Sequence, residues 1–317
     1  MRAIQYTEFG PSTVLKQVEI PIPKPAEGEV LVKIAAAGVN PVDVKIREGL
    51  LVKRVPCVFP IVPGWDFAGI IVDHGFGAHR FEIGEKVFGY CRRPTIQNGT
   101  YAEYIALPEA YITKAPQSIP LKKAAALPLA GLTAYQSLFV HGGIKNNEVI
   151  VIWGASGGVG SFAVQLAASK GATVIAISSK KNLEYTKKLG AKYAIDYETH
   201  GVEALLRELS PKGIDVVFDT LGGDIFKRSF DIVKTTGRVV SIIENIPEPS
   251  LLPKPEIEYR YCFVEPNSSQ LGLLQKMVDD GDLKIHIEDE YLLEDAAKAQ
   301  NRIAEGHTRG KIIITMD

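Results

Sequence analysis

Residues 149–160 read VIVIWGASGGVG, an uncharged apolar stretch that runs directly into a glycine-rich turn. A helical pattern follows in residues 161–169, and a second apolar stretch occupies residues 173–177. A strand, a glycine turn, a helix and a second strand within about 30 residues make a βαβ unit. Glycines at the start of such a helix let backbone N–H groups approach a pyrophosphate more closely than side chains would permit. The segment therefore predicts a dinucleotide-binding turn.

The turn has the pattern A-x-G-x-x-G, because Ala155 stands where the first glycine of the usual G-x-G-x-x-G pattern would be. The alternative for residues 149–169 is a membrane-spanning helix, since the stretch carries no charge. Four glycines in seven positions disfavour a lipid-buried helix. The residues predicted to contact the cofactor in this turn are Ala155, Ser156, Gly157, Gly158, Val159 and Gly160.

The end of the second strand indicates which dinucleotide binds, and residues 178–181 there read SSKK. Proteins that bind NAD place an acidic residue about 20 residues after the turn, where it holds the ribose 2′-hydroxyl. No carboxylate occurs between Glu148 and Glu184. Hydroxyl and ammonium groups suit a 2′-phosphate, so the predicted cofactor is NADP(H). The predicted phosphate contacts are Ser178, Ser179, Lys180 and Lys181, although the two lysines also fit a solvated helix start.

The pattern of apolar, proline and glycine residues changes along the chain. Residues 1–122 consist of short β segments separated by proline and glycine, which indicates a mostly β domain. Residues 123–255 alternate apolar strands with helix-length stretches, which indicates a doubly wound parallel sheet. Residues 244–255 hold four prolines and are predicted to cross between domains, so that residues 256–317 complete the first domain. The predicted fold class is α/β.

Composition excludes several classes of protein. The 317 residues suffice for two domains, and 36 Lys+Arg against 37 Asp+Glu leave a net charge of −1. Neither a nucleic acid nor an anionic membrane is therefore an expected partner. Cys57, Cys91 and Cys262 are too widely spaced for a disulfide framework, which indicates a reducing, cytoplasmic location. Glu8 interrupts the N-terminus before an apolar signal-peptide region can develop.

Seven segments match one protein family in the same order along the chain. They are residues 37–49, 63–69, 99–104, 124–136, 155–160, 213–223 and 306–311. Over nearly its whole length the chain thus resembles the zinc-independent medium-chain dehydrogenase/reductases of the quinone oxidoreductase (zeta-crystallin-like) and alkenal/enone reductase type. The resemblance implies a GroES-like catalytic domain, a Rossmann nucleotide-binding domain, and a homodimer formed through the edge of the nucleotide-binding sheet, where residues 239–243 are apolar.

Family members with alcohol dehydrogenase activity bind zinc through a Cys motif, a Gly-His-Glu and a four-Cys lobe. At the matching places this sequence has Asn40, Trp65 after Gly64, and Cys91 alone. A tetrahedral site needs three or four converging ligands, so no metal is predicted. Without a Lewis acid the substrate must already be electrophilic, as quinones, enones, enals and enoyl thioesters are.

Five residues are catalytic candidates. By resemblance, Asn40 lies beside the nicotinamide and substrate and donates through its side-chain amide. Asp43 and Arg47 are four residues apart on a helical turn, and they either form an ion pair or organise the site. Lys45 either donates to the substrate or extends outward into solvent. Tyr101 is either a proton donor or a buried tyrosine.

Further cofactor contacts follow from the resemblance alone. Tyr197 is expected near the 2′-phosphate, and Lys180 or Lys181 would replace a family lysine that aligns with Asn182. The remaining contacts implied are Thr133, Leu221, Gly222, Ile242, Ile243, Phe263 and Val264, and the apolar ones among them fit core packing equally. The predicted activity is NADPH-dependent hydride transfer to a quinone or an activated C=C bond. The alternatives are enoyl-thioester reduction and non-catalytic NADPH binding.

Overall fold

The computed structural model describes all of residues 1–317. Its strands are β1 (Arg2–Gln5), β2 (Lys16–Glu19), β3 (Glu29–Val39), β4 (Cys57–Val62), β5 (Asp66–His74), β6 (Lys86–Tyr90), β7 (Ile96–Asn98), β8 (Tyr104–Pro108), β9 (Ile112–Lys114), β10 (Val149–Trp153), β11 (Thr173–Ser178), β12 (Tyr193–Asp196), β13 (Ile214–Asp219), β14 (Val233–Ser241), β15 (Glu258–Tyr261), β16 (Ile287–Leu292) and β17 (Lys311–Thr315). Its α-helices are α1 (Pro41–Arg47), α2 (Leu121–Ala124), α3 (Pro128–Tyr135), α4 (Gly158–Ser169), α5 (Leu183–Lys188), α6 (Val202–Leu209), α7 (Asp224–Ile232), α8 (Ser268–Asp279) and α9 (Ala296–Ala304).

A six-stranded parallel sheet forms one compact unit, which comprises Thr133–Val264 and Asp282–Lys284. The strand order is β12-β11-β10-β13-β14-β15, and each neighbouring pair is parallel. Numbered within the unit, this is 3-2-1-4-5-6, the order of dinucleotide-binding Rossmann sheets. The order reverses between β10 and β13, and the glycine turn follows β10. The turn therefore lies at the switch point of the sheet, where ligands of such folds bind.

The apolar stretches of the sequence become the central strands of this sheet. Four residues of β10, Ile150 to Trp153, are buried without alternation, as expected of a strand covered on both faces. The predicted strands at residues 149–153 and 173–177 are confirmed by β10 and β11, and residues 158–169 form α4. None of the helices combines the length and the apolar character that crossing a bilayer requires.

A seven-stranded, mostly antiparallel sheet forms the second unit, which comprises Met1–Leu132, Glu265–Gly281 and Ile285–Asp317. Its order is β16-β17-β3-β5-β6-β9, with β8 also paired to β3. The last strand, β17, pairs antiparallel with β3 and places Ile312 opposite Val39. The C-terminal residues thus complete a sheet that the N-terminal residues begin. The predicted fold class, α/β with a mostly β domain beside a doubly wound parallel sheet, is confirmed.

The division of the chain differs from the boundaries placed at residues 122 and 255. Residues after 122 remain with the β unit because α2 packs on β3 and β5, and because the backbone N–H of Leu129 donates to the Asp66 carboxylate at 2.6 Å. The proline-rich segment, predicted as a crossing, stays with the Rossmann unit. Leu252 is buried in that core, and the chain then adds β15 to the sheet. Residues 239–243 are consequently not the sheet edge, since β15 lies outside β14.

Candidate functional site

Strand register brings three polar residues together at the end of β3. Gly38 pairs with Asp66 on β5, and Val39 pairs with Ile312 on β17. Asn40 follows β3, so it lies beside Asp66 on one side and beside Lys311 on the other. All three side chains are buried. Gly38 makes this arrangement possible, because a Cβ there would approach the Asp66 Cβ to 2.8 Å.

The side-chain amide of Asn40 is bonded at both ends. Its Nδ2 donates to Asp66 Oδ2 at 2.9 Å, and its Oδ1 accepts from the Lys311 ammonium. Lys311 also donates to the Val39 carbonyl at 2.9 Å and lies 3.7 Å from Asp66 Oδ2. Burial lowers the pKa of Lys311 and raises that of Asp66, while their mutual attraction opposes both changes. The predicted site residue Asn40 is therefore held inside a charged cluster that its sequence neighbours do not reveal.

Asp43 closes the start of α1 and forms a second buried carboxylate next to this cluster. Its Oδ2 accepts from the Asn40 backbone N–H at 2.8 Å and from the Tyr101 hydroxyl at 3.1 Å, whereas its buried Oδ1 has no partner. Burial raises the pKa of Asp43 to about 7, and the hydrogen bond from the Asn40 backbone opposes this only in part. Asp43 therefore changes charge near neutral pH.

The predicted alternative of an Asp43–Arg47 ion pair is wrong. Arg47 donates to the Gly10 carbonyl at 3.0 Å and to Gln300 at 2.7 Å, and its ion pair is with Glu48 at 2.9 Å. The two side chains leave the short helix in different directions, Asp43 back towards its start and Arg47 towards α9. Helical spacing alone carries no information about these separate partners.

The remaining catalytic candidates occupy different environments. Tyr101 is fully buried with its hydroxyl bonded to Asp43, which agrees with the buried-tyrosine alternative. Gly64, whose φ is +93°, leaves room for the Tyr101 ring. Lys45 is partly exposed on α1 and its ammonium bonds no protein group, so the structure does not bring it into the cluster.

Two glycines of the turn have different surroundings: Gly160 is closely packed and Gly157 has open space beside it. A Cβ at Gly160 would lie 2.8 Å from the Ala155 Cα and closer still to the Gly154 carbonyl oxygen, so α4 can pack on β10 only with glycine there. A Cβ at Gly157 would meet one atom, the Gly154 carbonyl oxygen, at an ordinary 3.5 Å. Gly157, Gly158 and Val159 are partly exposed at the start of α4. The Gly157 N–H donates to the Gly154 carbonyl at 3.0 Å, whereas the N–H groups of Gly158 and Val159, in the first turn of α4, have no partner within the helix. These features fit the phosphates of a dinucleotide.

The residues after β11 are arranged around Asn182. Its buried amide donates to the hydroxyls of Ser156 and Ser179, at 3.1 Å each, and so ties the glycine turn to the end of β11. Lys180 and Lys181 are exposed. Tyr197 is 42 % exposed, and its backbone N–H donates to the Ser178 carbonyl at 3.1 Å. The predicted 2′-phosphate residues thus follow the neighbouring parallel strands β11 and β12, and the Asn182 amide bonds one of them, Ser179.

Two buried groups that sequence reasoning missed shape the opposite side of the switch point. Asp219 accepts from the backbone N–H groups of Leu221 and Gly222 at 2.9 Å each, and from the Ser241 hydroxyl at 2.8 Å. The Ser241 hydroxyl oxygen accepts from the N–H groups of Ile243 and Glu244 at 3.2 Å each. One carboxylate and one hydroxyl therefore hold two loops. An acid at the end of a strand, followed by a pair of glycines, was the signal that could have indicated this.

The other predicted cofactor contacts also lie in the Rossmann unit. Thr133 is buried in α3, Ile242 and Ile243 follow β14, and Phe263 and Val264 follow β15. Val264 is buried, whereas Phe263 and the two isoleucines are partly exposed. Leu221, the most accessible of the predicted apolar contacts, is 54 % exposed.

The residues present do not fit a metal ion. No group of three or more His, Cys, Asp or Glu side chains is placed to hold one. Trp65 packs edge-on against Tyr90, with ring centroids 5.9 Å apart. Burial strongly raises the pKa of the Cys91 thiol, which disfavours the thiolate that a metal would require.

Comparison with known proteins agrees with this architecture. Residues 26–117 match the alcohol dehydrogenase GroES-like domain, and residues 189–314 match the zinc-binding dehydrogenase family. The chain is 33 % identical to the chloroplast envelope quinone oxidoreductase homolog of Arabidopsis thaliana, over 99 % of this chain and 98 % of that protein. It is 31 % identical to the NADPH-dependent alkenal/one oxidoreductase of the same plant, over 99 % of this chain and 79 % of that one.

A solved structure, the quinone oxidoreductase of Escherichia coli complexed with NADPH, superposes with a TM-score of 0.87 at 26 % identity, with all of both chains covered. The zinc-binding family description does not carry over to a zinc site, because the ligand positions hold other residues. The nicotinamide cofactor of the family agrees with the glycine turn at the switch point of the sheet. The chain therefore belongs to the medium-chain dehydrogenase/reductase superfamily, among the quinone oxidoreductases and their alkenal/one-reducing relatives, and it is an oxidoreductase.

Proposed function

We propose that the protein is an NADPH-dependent, zinc-independent reductase that transfers hydride to a quinone or to the C=C bond of an enone or enal. The observation that carries this proposal is a nucleotide-binding glycine turn in a family member whose zinc-ligand positions hold Asn40 and Trp65. An electrophilic acceptor needs no metal to polarise it. The names of the relatives, which include quinone and alkenal/one oxidoreductases, support both acceptor classes.

NADPH rather than NADH is favoured by the groups at the end of β11. The hydroxyl of the partly exposed Ser179, two exposed lysines and the exposed phenol of Tyr197 provide donors and positive charge for a 2′-phosphate. The nearest strand-end carboxylate is Asp196, opposite Ser178 in register, and its Oδ1 already accepts from the Glu198 N–H at 3.2 Å. The backbone N–H groups of Gly158 and Val159 would hold the pyrophosphate, and the absence of a side chain at Gly157 would leave room for it.

The protein's side chains would orient the cofactor and stabilise the charge that develops on the acceptor. A bound reduced nicotinamide supplies hydride, and the acceptor oxygen gains negative charge as a result. Asn40 donates a hydrogen bond towards this reacting end, which stabilises the developing charge. Thr133 and the residues after β14 and β15, Ile242, Ile243, Phe263 and Val264, orient the nicotinamide side. The proton that completes the reduction comes from solvent, because Tyr101 is committed to Asp43.

Isotope transfer tests this proposal. NADPH carrying deuterium at C4 is incubated with the protein and a short enal, and the product is analysed by mass spectrometry. We expect deuterium on the carbon β to the carbonyl, and with an ortho-quinone we expect the hydroquinone. If only an enoyl thioester is reduced, the substrate class is wrong. If NADPH binds but no acceptor of any class is reduced, the protein is a cofactor-binding protein without this activity.

A homodimer and a cytoplasmic location remain predictions of the same proposal. The edge strand available for pairing is β15, which reads EYRY and is more polar than residues 239–243. Cys57, Cys91 and Cys262 form no disulfide, which supports a reducing compartment. Sedimentation of the purified protein measures its assembly directly.

A further inference from the structure

We propose that Lys311 and Asp66 are positioning residues that fix the direction in which Asn40 presents its one unused N–H bond. This inference rests on the proposed role of Asn40 at the reacting end. Neither residue is in the glycine turn, among the predicted 2′-phosphate contacts or among the predicted nicotinamide contacts. They act on the reaction only through the amide that they hold.

The order of groups around Asn40 determines the orientation of its amide. Nδ2 faces the Asp66 carboxylate at 2.9 Å, and Oδ1 faces the Lys311 ammonium. A flipped amide would direct its NH2 group at the ammonium and its carbonyl oxygen at the carboxylate. Two charge-assisted hydrogen bonds would be replaced by two repulsions. The two neighbours therefore specify one orientation, where an isolated asparagine could adopt either.

The two flanking charges are themselves held in place. Asp66 Oδ1 accepts from the Leu129 N–H at 2.6 Å, and Lys311 donates to the Val39 carbonyl at 2.9 Å. The side chains of Lys311 and Asp66 are 4 % and 0 % exposed, so water cannot compete for either group. Backbone register, rather than side-chain flexibility, sets their separation, since they lie on β17 and β5 on either side of β3.

One donor hydrogen remains on Nδ2 after the bond to Asp66, because a primary amide has two. Asn40 can therefore act on a ligand as a donor through this hydrogen, while the Lys311 ammonium occupies one of the two lone pairs of its oxygen. A donor whose direction is set before the ligand arrives stabilises developing negative charge without reorganising. A misplacement of about 1 Å at such a site can cost about a hundredfold in rate.

The test replaces Lys311 with methionine, which keeps most of the chain length and removes the charge. We expect kcat with the best acceptor to fall about 10- to 100-fold, while the Kd for NADPH stays within about threefold. Asn40→Ala alone should cost a similar factor, and the double variant should be no slower than the slower single one. Independent, multiplying effects of the two substitutions would overturn the proposal, as would K311M with the kcat of the parent protein.

A spectroscopic readout tests positioning without turnover. The side-chain amide protons of Asn40, identified in an NMR spectrum by their loss in Asn40→Ala, should exchange slowly with solvent in the parent protein. In K311M they should exchange at least about tenfold faster or broaden. Unchanged exchange would overturn the proposal. This measurement does not depend on turnover. If the parent protein reduces no acceptor, the proposed function is contradicted, but the positioning of Asn40 can still be tested.

Folding is controlled with two further variants. Thr315→Val alters a buried polar residue on the same strand, β17, away from Asn40, and should retain the parent kcat. Loss of activity in this variant would make the effect of K311M a general consequence of disturbing β17, against the proposal. If K311M does not fold, Lys311→Met combined with Asp66→Asn removes one buried charge of each sign and is read by the same two criteria.

Discussion

Two carboxylates, Asp43 and Asp66, and one ammonium, Lys311, share the buried space around Asn40. Lys311 lies 3.7 Å from Asp66 and also attracts Asp43, while Arg47 forms its ion pair with Glu48 rather than with Asp43. Removal from water favours the neutral acid, and the pKa of Asp43 rises from 3.8 to about 7. The folded protein therefore retains a proton on Asp43 that the unfolded chain releases.

Asp43→Asn should flatten the pH dependence of stability. Because the pKa is raised in the folded state, the stabilisation is complete below about pH 4 and is lost as pH rises towards about 7. The loss is at most about 4 kcal/mol, from the free energy that corresponds to such a difference in pKa. Asparagine still accepts from the Asn40 N–H and from Tyr101, but it has no proton to lose. Urea unfolding at about pH 5 and about pH 8 measures how the free energy of unfolding changes with pH in the parent protein and in D43N.

The control for this prediction is Asp231→Asn, since Asp231 is an exposed carboxylate paired with Lys254. This control should keep the slope of the parent protein. A steep fall in stability between the two pH values that persists in D43N would contradict the assignment of the proton to Asp43.

The sequence indicated several residues of the candidate site but not the groups that they bond. Asn40, Asp43 and Arg47 are three of the five predicted catalytic candidates, and all three are buried. The ion pair was wrong because i,i+4 spacing describes an isolated helix, whereas each of these side chains bonds a different element. Lys311 was missed because it is 271 residues from Asn40, and only strand register brings them together.

At the scale of elements, the loops after β13 and β14 depend on the hydroxyl of Ser241. Ser241→Ala removes two acceptor contacts, to Ile243 and Glu244, and one donor contact, to Asp219. A net hydrogen bond contributes about 1 kcal/mol, so we expect the Kd for NADPH to rise about 5- to 20-fold, with kcat at saturation nearly unchanged. Calorimetric titration measures the Kd.

Ser229→Ala is the matched control, because Ser229 is equally buried but bonds only the Ile225 carbonyl within α7. Its Kd for NADPH should equal that of the parent protein. Equal Kd values for the Ser241 and Ser229 variants would show that the two loops do not depend on the Ser241 hydroxyl.

Two glycines of the same turn should respond differently to alanine. In Gly160→Ala the new Cβ meets the backbone of Gly154 and Ala155, so α4 must move and the melting temperature should fall by several degrees. In Gly157→Ala the Cβ has ordinary space, so the protein should melt as the parent does. Its methyl group would instead face the pyrophosphate, and the Kd for NADPH should rise at least about tenfold.

Calorimetry of both variants, with and without NADPH, distinguishes these outcomes. Gly272→Ala in α8 controls for the general effect of alanine, since its Cβ would meet Thr113 only at 3.8 Å. If Gly157→Ala bound NADPH as tightly as the parent, the phosphates would have to lie elsewhere.

Element prediction succeeded where burial makes a stretch continuously apolar. β10 and β11 were predicted within one residue of their observed ends because they are buried along nearly their whole length. β12 and β15 were missed, since they have four residues each and lie at the two edges of the sheet, where polar residues interrupt the pattern. The edge strand β15 is the reason that residues 239–243 are not available for pairing.

The two units differ in how much of their architecture can be predicted from the sequence. The Rossmann unit is nearly continuous in sequence, so its βαβ repeats and glycine turn could be predicted directly. The β unit is assembled from three separate segments, and its buried cluster takes residues from the first and the last. The resemblance to a family indicated this assembly, but the contacts of Lys311, Asp66 and Gln300 required the three-dimensional register.

The most direct test of the account is the loss of reduced-nicotinamide absorbance by chelator-treated protein, measured with NADPH and with NADH against an ortho-quinone and a short enal. We predict turnover that survives the chelator, at least about tenfold higher kcat/KM with NADPH than with NADH, and loss of this preference when Lys180 and Lys181 are both replaced by alanine. Dependence on added zinc, or a preference for NADH, would contradict the account.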